Sequence, residues 1–188
     1  MAKDPIAFYH LAGIGHWREI VTEQLGLLSR AGFTGKIHIG FLGKEDEIGF
    51  IYHVATTYGL AFETRWFGED FTQYEFPTQE WMHTVSKELD ADTPMLYFHG
   101  KGVSKNVWQW TMWRWVMNAF NLTRWRDMVE ALGTHNCAGF SWVPRGFPVS
   151  FFPGTFWWAT AGHVAQLTPY PEYRRQFDEC LSQKNTCG

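Results

Sequence analysis

Hydrophobic positions along the chain recur with two different periods. Residues 6–10 form a short apolar run that ends at the small residues Ala12, Gly13 and Gly15. Trp17, Ile20, Val21, Leu25 and Leu28 follow at spacings of three and four, the pattern of one helix face, and Gly32 and Gly35 mark its end. Residues 36–43 (KIHIGFLG) read as a second strand. Strand, helix and strand in this order make a parallel βαβ unit. Residues 50–54 predict a third strand, with a loop at 56–59. Residues 67–74 are irregular and acidic. Pro77, Thr78, Glu80 and Trp81 mark a helix start, with Thr78 as N-cap, and the helix runs to about residue 89.

Residues 90–94 are a turn, and residues 95–99 (MLYFH) are a continuous apolar strand with both faces buried. That strand ends at Gly100-Lys101-Gly102. Residues 107–132 predict one long helix. Trp108, Met112, Trp115, Ala119 and Leu122 form one stripe on it; Trp110, Trp113, Met117 and Phe120 form another. A circumference this apolar belongs to a helix buried on two sides, or to one with a ligand on one side. Residues 137–143 are a strand candidate, and Pro144, Gly146, Pro148, Pro153 and Gly154 make a loop. Residues 156–159 open a last ordered element, with a helix from about residue 161 and a tail that frays past residue 183. Neither an internal repeat nor a linker interrupts the pattern. The reading is one α/β domain over residues 1–188, ordered from about 5 to 182, with a mostly parallel Rossmann-like sheet flanked by helices.

Composition narrows the function classes. A chain of 188 residues fits one domain. With 45% hydrophobic and 19% charged residues it is not a disordered or low-complexity segment. Aromatics reach 18%, including 11 Trp and 16 Phe; such rings fill cores, or meet flat amphipathic ligands such as sugars and bases. A net charge of −3 removes a global basic footprint for nucleic acid and leaves a local patch open. Cys137, Cys180 and Cys187 are odd in number and lack metal-ligand spacing, as expected of reduced thiols in the cytoplasm. The first residues lack a signal-peptide core, and no stretch of about 18 apolar residues occurs, so no membrane span is expected.

Three tempting motifs fail on position. Gly13-Ile14-Gly15 begins a dinucleotide fingerprint, but Arg18 stands where the third Gly belongs. Gly100-Lys101-Gly102-Val103-Ser104 lacks the upstream Gly of a phosphate-binding P-loop. Asp90-Ala91-Asp92 has the form of a metal-diphosphate motif but precedes its strand, and ligands of open α/β sheets lie at the C-terminal strand ends. It reads as a solvated turn. The C-terminal end of that strand carries His99-Gly100-Lys101-Gly102 instead. Lys101 offers a cation for a diphosphate, the glycines let backbone N–H groups approach it, and His99 donates, accepts or ligates. In a parallel sheet the same rim gathers His10, Leu11, Ala12 and Gly13 after the first strand, Gly43 and Lys44 after the second, and Tyr74, Glu75 and Thr78 before and in the next helix. Glu75 is the best-placed acid there, as a catalytic group or as the partner of a cation.

Several blocks in order carry a resemblance: Tyr9-His10 before a helix with Trp17 and Gln24, Gly43-Lys44, Tyr74 to Thr78 (YEFPT), Leu96 to Ser104 (LYFHGKGVS), Trp113-Arg114, and Gly154 to Ala159 (GTFWWA). Together they resemble a family of small glycosyltransferase-like proteins from bacteria, viruses and algae, over about residues 6–180. The resemblance implies a GT-A-like fold that binds a nucleotide sugar, a UDP-sugar by preference, at the C-terminal sheet edge. It implies that His99 and Lys101, with Gly100 and Gly102, replace or modify the metal-diphosphate motif, which leaves a Mn²⁺ or Mg²⁺ requirement open. It implies donor contacts from residues 10–13 and 74–78, and a sugar and acceptor pocket lined by Arg114, Thr155, Trp157 and Trp158. Glu75 is then a general base or holds a sugar hydroxyl. Two positions depart from the family pattern: Gly100 stands where Thr is usual, and Thr155 where Asn is usual. The acceptor is a glycan or a hydroxymethylated DNA base, the latter met by Arg114, Arg124 and Arg126 among Trp residues. The competing reading is a degenerate glycosyltransferase fold that binds a glycan or a partner without catalysis.

Overall fold

The computed structural model describes residues 3–103, 107–147, 149–152 and 154–186. Ser104, Pro148, Pro153 and Cys187, which the sequence reading used, lie outside the described residues. The first half runs β1 (Ile6–Ala12), α1 (Trp17–Arg30), β2 (Lys36–Leu42), α2 (Ile48–Thr57), β3 (Phe62–Trp66), α3 (Phe76–Ser86) and β4 (Pro94–His99). Then follow α4 (Trp108–Asn118), a π-helical turn at Ala119–Thr123, α5 (Trp125–Ala131), β5 (Cys137–Ala138), β6 (Val143–Phe147) and β7 (Val149–Phe151). The chain closes with β8 (Trp157–Thr160), α6 (Ala161–Val164) and α7 (Tyr170–Thr186). Six strands make one sheet in the order β3-β2-β1-β4-β8-β5, and β6 and β7 form a separate hairpin. The pairs β1–β2, β1–β4 and β2–β3 are parallel; β8 runs antiparallel to both β4 and β5.

Strand alternation sends side chains to two cores. Ala7, Tyr9, Leu11, Phe98 and Trp158 meet α1, α2 and the α4–α5 region on one face. Phe8, Met95, Tyr97 and Ala159 meet α3 and α6 on the other. The result is a three-layer sandwich. Trp17 and Trp158 are its largest fully buried side chains, and burying each such ring contributes about 1.5–3 kcal/mol.

Four expectations need correction. Residues 50–54 are helical: Ile51, Val54 and Ala55 point inward at spacings of three and one, a helical face that a five-residue apolar run does not reveal. The third strand is β3, a charged and partly exposed edge strand that no apolar pattern announces. The helix expected over 107–132 breaks at the π turn, where Asn121 donates to the Met117 carbonyl and accepts from the Trp158 indole. The loop expected after residue 143 holds the β6–β7 hairpin, and α7 stays helical past residue 183.

Candidate functional site

The strand order reverses between β1 and β4: the chain leaves β1 toward β2 and β3, then returns to the other side of β1. Ligands of open α/β sheets occupy the crevice outside the C-terminal strand ends at such a point. A cleft of about 510 Å³ lies there. Of the expected rim residues, His10, Ala12, Tyr74, Glu75 and the run His99 to Gly102 line it. Ile14, Leu42, Phe71, Val103 and Trp110 line it as well, and the sequence reading did not single them out for a ligand.

Three elements bring the polar groups together. His10 and His99 are register partners on adjacent parallel strands. Glu75 occupies the N-cap position of α3, and its carboxylate faces the strands instead of capping the helix. Because β8 runs antiparallel, its entry lies at the C-terminal rim of β4 and delivers Gly154 and Thr155 to His99. The His99 imidazole then sits among three partners, one of them Thr155 Oγ1 at 3.0 Å from its Nε2. Its Nε2 lies 2.9 Å from the Gly154 carbonyl oxygen, which only accepts, so this nitrogen donates there. Its Nδ1 lies 3.3 Å from Glu75 Oε1. Glu75 Oε2 accepts from the Tyr97 hydroxyl at 3.0 Å, from Thr155 Oγ1 at 3.4 Å and from Gln79 at 3.5 Å.

The charges follow from this geometry. Burial pushes the Glu75 carboxyl up, but His99, His10, the Tyr97 hydroxyl and the Lys101 ammonium together hold it below the usual carboxylate range. It is therefore ionised at neutral pH. Burial lowers His10 to about 4 against the pull of Glu75, so this histidine is neutral. Burial, then Glu75, pushes the Tyr97 phenol well up, which keeps it a donor.

Behind the cleft, a buried polar network fixes the His99–Gly102 turn. Arg114 reaches both oxygens of Glu23 at 3.3 and 3.1 Å and donates to the Lys101 carbonyl at 3.1 Å. Asn118 donates to Glu23 at 2.7 Å, and Gln24 donates to the His99 carbonyl at 3.2 Å. Gln24 in turn accepts from Tyr9 at 2.5 Å. Lys101 holds its ammonium 5.1 Å from the centre of the Trp110 ring. The N–H groups of Gly100, Lys101 and Val103 bond the carbonyls of His10, His99 and Gly100, and among the described lining residues Lys101 brings a cation to the cleft.

Other expected residues sit elsewhere. Thr78 is not the N-cap of α3: the helix starts at Phe76, and the fully buried Thr78 hydroxyl shares a 2.8 Å hydrogen bond with His10 Nδ1. This contact needs Gly40, since a Cβ there would lie 2.0 Å from Thr78 Oγ1. Leu11 is a core residue, and Gly13 donates to the Leu42 carbonyl at 2.6 Å. Gly43 accepts from the Trp66 indole, and Lys44 is exposed before a short 3₁₀ turn. Arg114 acts through the Lys101 carbonyl from behind the turn. Trp157 and Trp158 are neighbours on a strand and so face opposite ways. Trp158 is in the core; Trp157 stacks on Tyr97 with ring centres 5.8 Å apart. Trp157 and Thr155 line a second cleft, of about 440 Å³. The acids of Asp90-Ala91-Asp92 ion-pair with Lys3 at the far end of β4, Asp90 at 2.9 Å.

The backbone is strained where the site is assembled. Tyr74 and Thr155 adopt φ values of 49° and 58°. A β-branched residue in the left-handed region is an outlier, and such positions cluster at functional sites. Asn tolerates this region better than a β-branched residue does. Gly154 next to it has φ 89°, and a Cβ there would lie 2.3 Å from Met117 Sδ.

Fold and cleft together define an α/β protein with a charged crevice at the switch point of a mixed sheet. The chain belongs to the family described as Domain of unknown function (DUF8361), whose profile matches residues 10–187. No curated protein matches it. No helix among the described residues is long and apolar enough to cross a membrane.

Proposed function

We propose that the chain is a glycosyltransferase with a GT-A-like sheet, moving a sugar from a nucleotide sugar to a hydroxyl acceptor. The observation that carries this reading is the pairing, in one switch-point cleft, of the Lys101 turn with an ionised Glu75. The nucleoside diphosphate lies against Lys101, with Tyr74, Phe71 and Trp110 as apolar surfaces for base and ribose. In the transfer, the acceptor oxygen bonds to the anomeric carbon, and the bond from that carbon to the diphosphate oxygen breaks with its electron pair. Glu75 takes the acceptor's proton, and Lys101 stabilises the charge on the leaving diphosphate.

Among the described residues no group of three His, Cys, Asp or Glu is arranged to hold a metal, and Asp90 and Asp92 are engaged by Lys3. No step above runs through one. The test is turnover: incubate the chain with UDP-, GDP-, CDP-, TDP- and ADP-sugars and measure released nucleoside diphosphate. Release from one donor, lost in Glu75→Gln, supports the reading. Tight nucleotide binding with no release from any donor, with or without added acceptors, returns the chain to a non-catalytic binding module.

A further inference from the structure

The second cleft lies one side chain away from Glu75. Thr155 and Gln79, which line it, both donate to Glu75 Oε2, and its Trp157 stacks on the Tyr97 that donates to the same oxygen. The Glu75 carboxylate is thus the wall between two clefts, with Lys101 on one side and aromatic rings on the other. We propose that the second cleft is the acceptor subsite and that the acceptor is an uncharged oligosaccharide. This rests on the transferase reading.

The lining carries the argument. Trp142, Phe152, Trp157 and Tyr173 offer flat faces suited to sugar C–H surfaces. Gln79, Glu80, His83 and His163 stand among them as hydrogen-bonding groups, a pattern that matches hydroxyls and does not suit an alkyl chain. No Lys or Arg is among the described lining residues, whereas Glu80 is. A phosphate backbone needs cations to neutralise it. The arginines available to a nucleic acid are largely committed: Arg114 to Glu23, and Arg126 to the Ala31 and Gly32 carbonyls at the end of α1. The geometry therefore favours a glycan over a hydroxymethylated DNA base.

Saturation-transfer NMR on the full chain tests this with three probes: an array of neutral oligosaccharides, a duplex containing 5-hydroxymethylcytosine, and a long-chain alcohol. The expected result is binding of at least one neutral oligosaccharide, weakened tenfold or more by Tyr173→Ala, with the duplex and the alcohol silent. Trp157→Phe, which keeps a ring against Tyr97, should weaken it severalfold; thermal unfolding of both variants checks that they fold. The proposal is overturned if no oligosaccharide binds, if both variants bind as the wild type does, or if the duplex or the alcohol binds instead. A parallel titration with UDP, GDP, CDP, TDP and ADP separates the failures. Nucleotide binding without oligosaccharide binding sinks this inference and leaves the transferase reading standing. Oligosaccharide binding without nucleotide binding leaves the subsite as a glycan site and sinks the transferase.

Discussion

The two ends of β4 carry the same chemical ingredients and differ in what surrounds them. At the N-terminal end, Asp90 and Asp92 meet Lys3 with both acids about three-quarters exposed. At the C-terminal end, Glu75 meets His99 and lies near His10 and Lys101, with His99 only 12% exposed. Water screens the first cluster, so its pairing is worth little. Protein walls enclose the second, where each charge acts at short range in a low dielectric. The first has the more familiar motif; the second has the position, the burial and the strained backbone. Placement at the switch point sets Glu75 apart from Asp90 and Asp92, which a motif alone does not do.

Removing the Glu75 charge should produce the largest effect. Glu75→Gln keeps the shape and a hydrogen-bond acceptor but loses the base, and turnover should fall by about 10²–10⁴. Asp90→Asn with Asp92→Asn, measured in the same assay, should stay within twofold. Equal losses at both ends would erase the contrast.

The next effect is on stability against pH. His10 and His38 are both lowered by burial to about 4, from an ordinary value near 6.5. Above pH 6.5 both states are neutral and the stability is intact. As pH falls from 6.5 toward 4 the unfolded chain binds protons that the folded chain refuses. Each histidine should then cost up to about 3 kcal/mol. Glu75, held low in the fold, adds a loss in the same direction below the ordinary carboxylate range. Thermal unfolding from pH 8 to 4 should show a fall beginning near 6.5, shallower in His10→Asn. A flat profile would mean that these imidazoles are protonated in the fold.

Lys101→Ala should weaken nucleotide affinity by about 10–100-fold, the size of one charge-assisted hydrogen bond, as read by calorimetry. Thr155→Asn is smaller. Relief of the left-handed strain should stabilise the fold by about 1 kcal/mol, provided the amide replaces the hydroxyl contact to His99. Smallest of all, Lys3→Ala should leave the thermal unfolding midpoint essentially where it is.

The rim was legible in the sequence because it follows from local patterns. The βαβ start, the apolar strand before His99 and the wrong-end placement of Asp90-Ala91-Asp92 needed only periodicity and the direction of a strand. Thr155 reached Glu75 through an antiparallel strand, and strand direction at β8 is set by pairing with residues about 60 positions away. The supporting network is longer in range still: Glu23 and Arg114 are 91 positions apart. Its signal was Gln24 between Val21 and Leu25 on a buried helix face, and Asn118 in a Trp-rich helix, polar residues that burial forces to find partners. The role expected of Trp158 ignored the alternation of a strand, which admits one of two adjacent tryptophans to a cleft and sends the other to the core.

The central claim is that the switch-point cleft holds a nucleoside diphosphate through Lys101. Thermal unfolding of the wild type and Lys101→Ala with UDP-, GDP-, CDP-, TDP- and ADP-sugars tests it directly. A ligand at 100 times its Kd adds about 2.7 kcal/mol, several degrees for a chain of this size. The account predicts that one nucleotide class raises the wild-type midpoint by that much and that Lys101→Ala removes about half of the shift or more. No shift with any of the five, or a shift that Lys101→Ala retains in full, would contradict it.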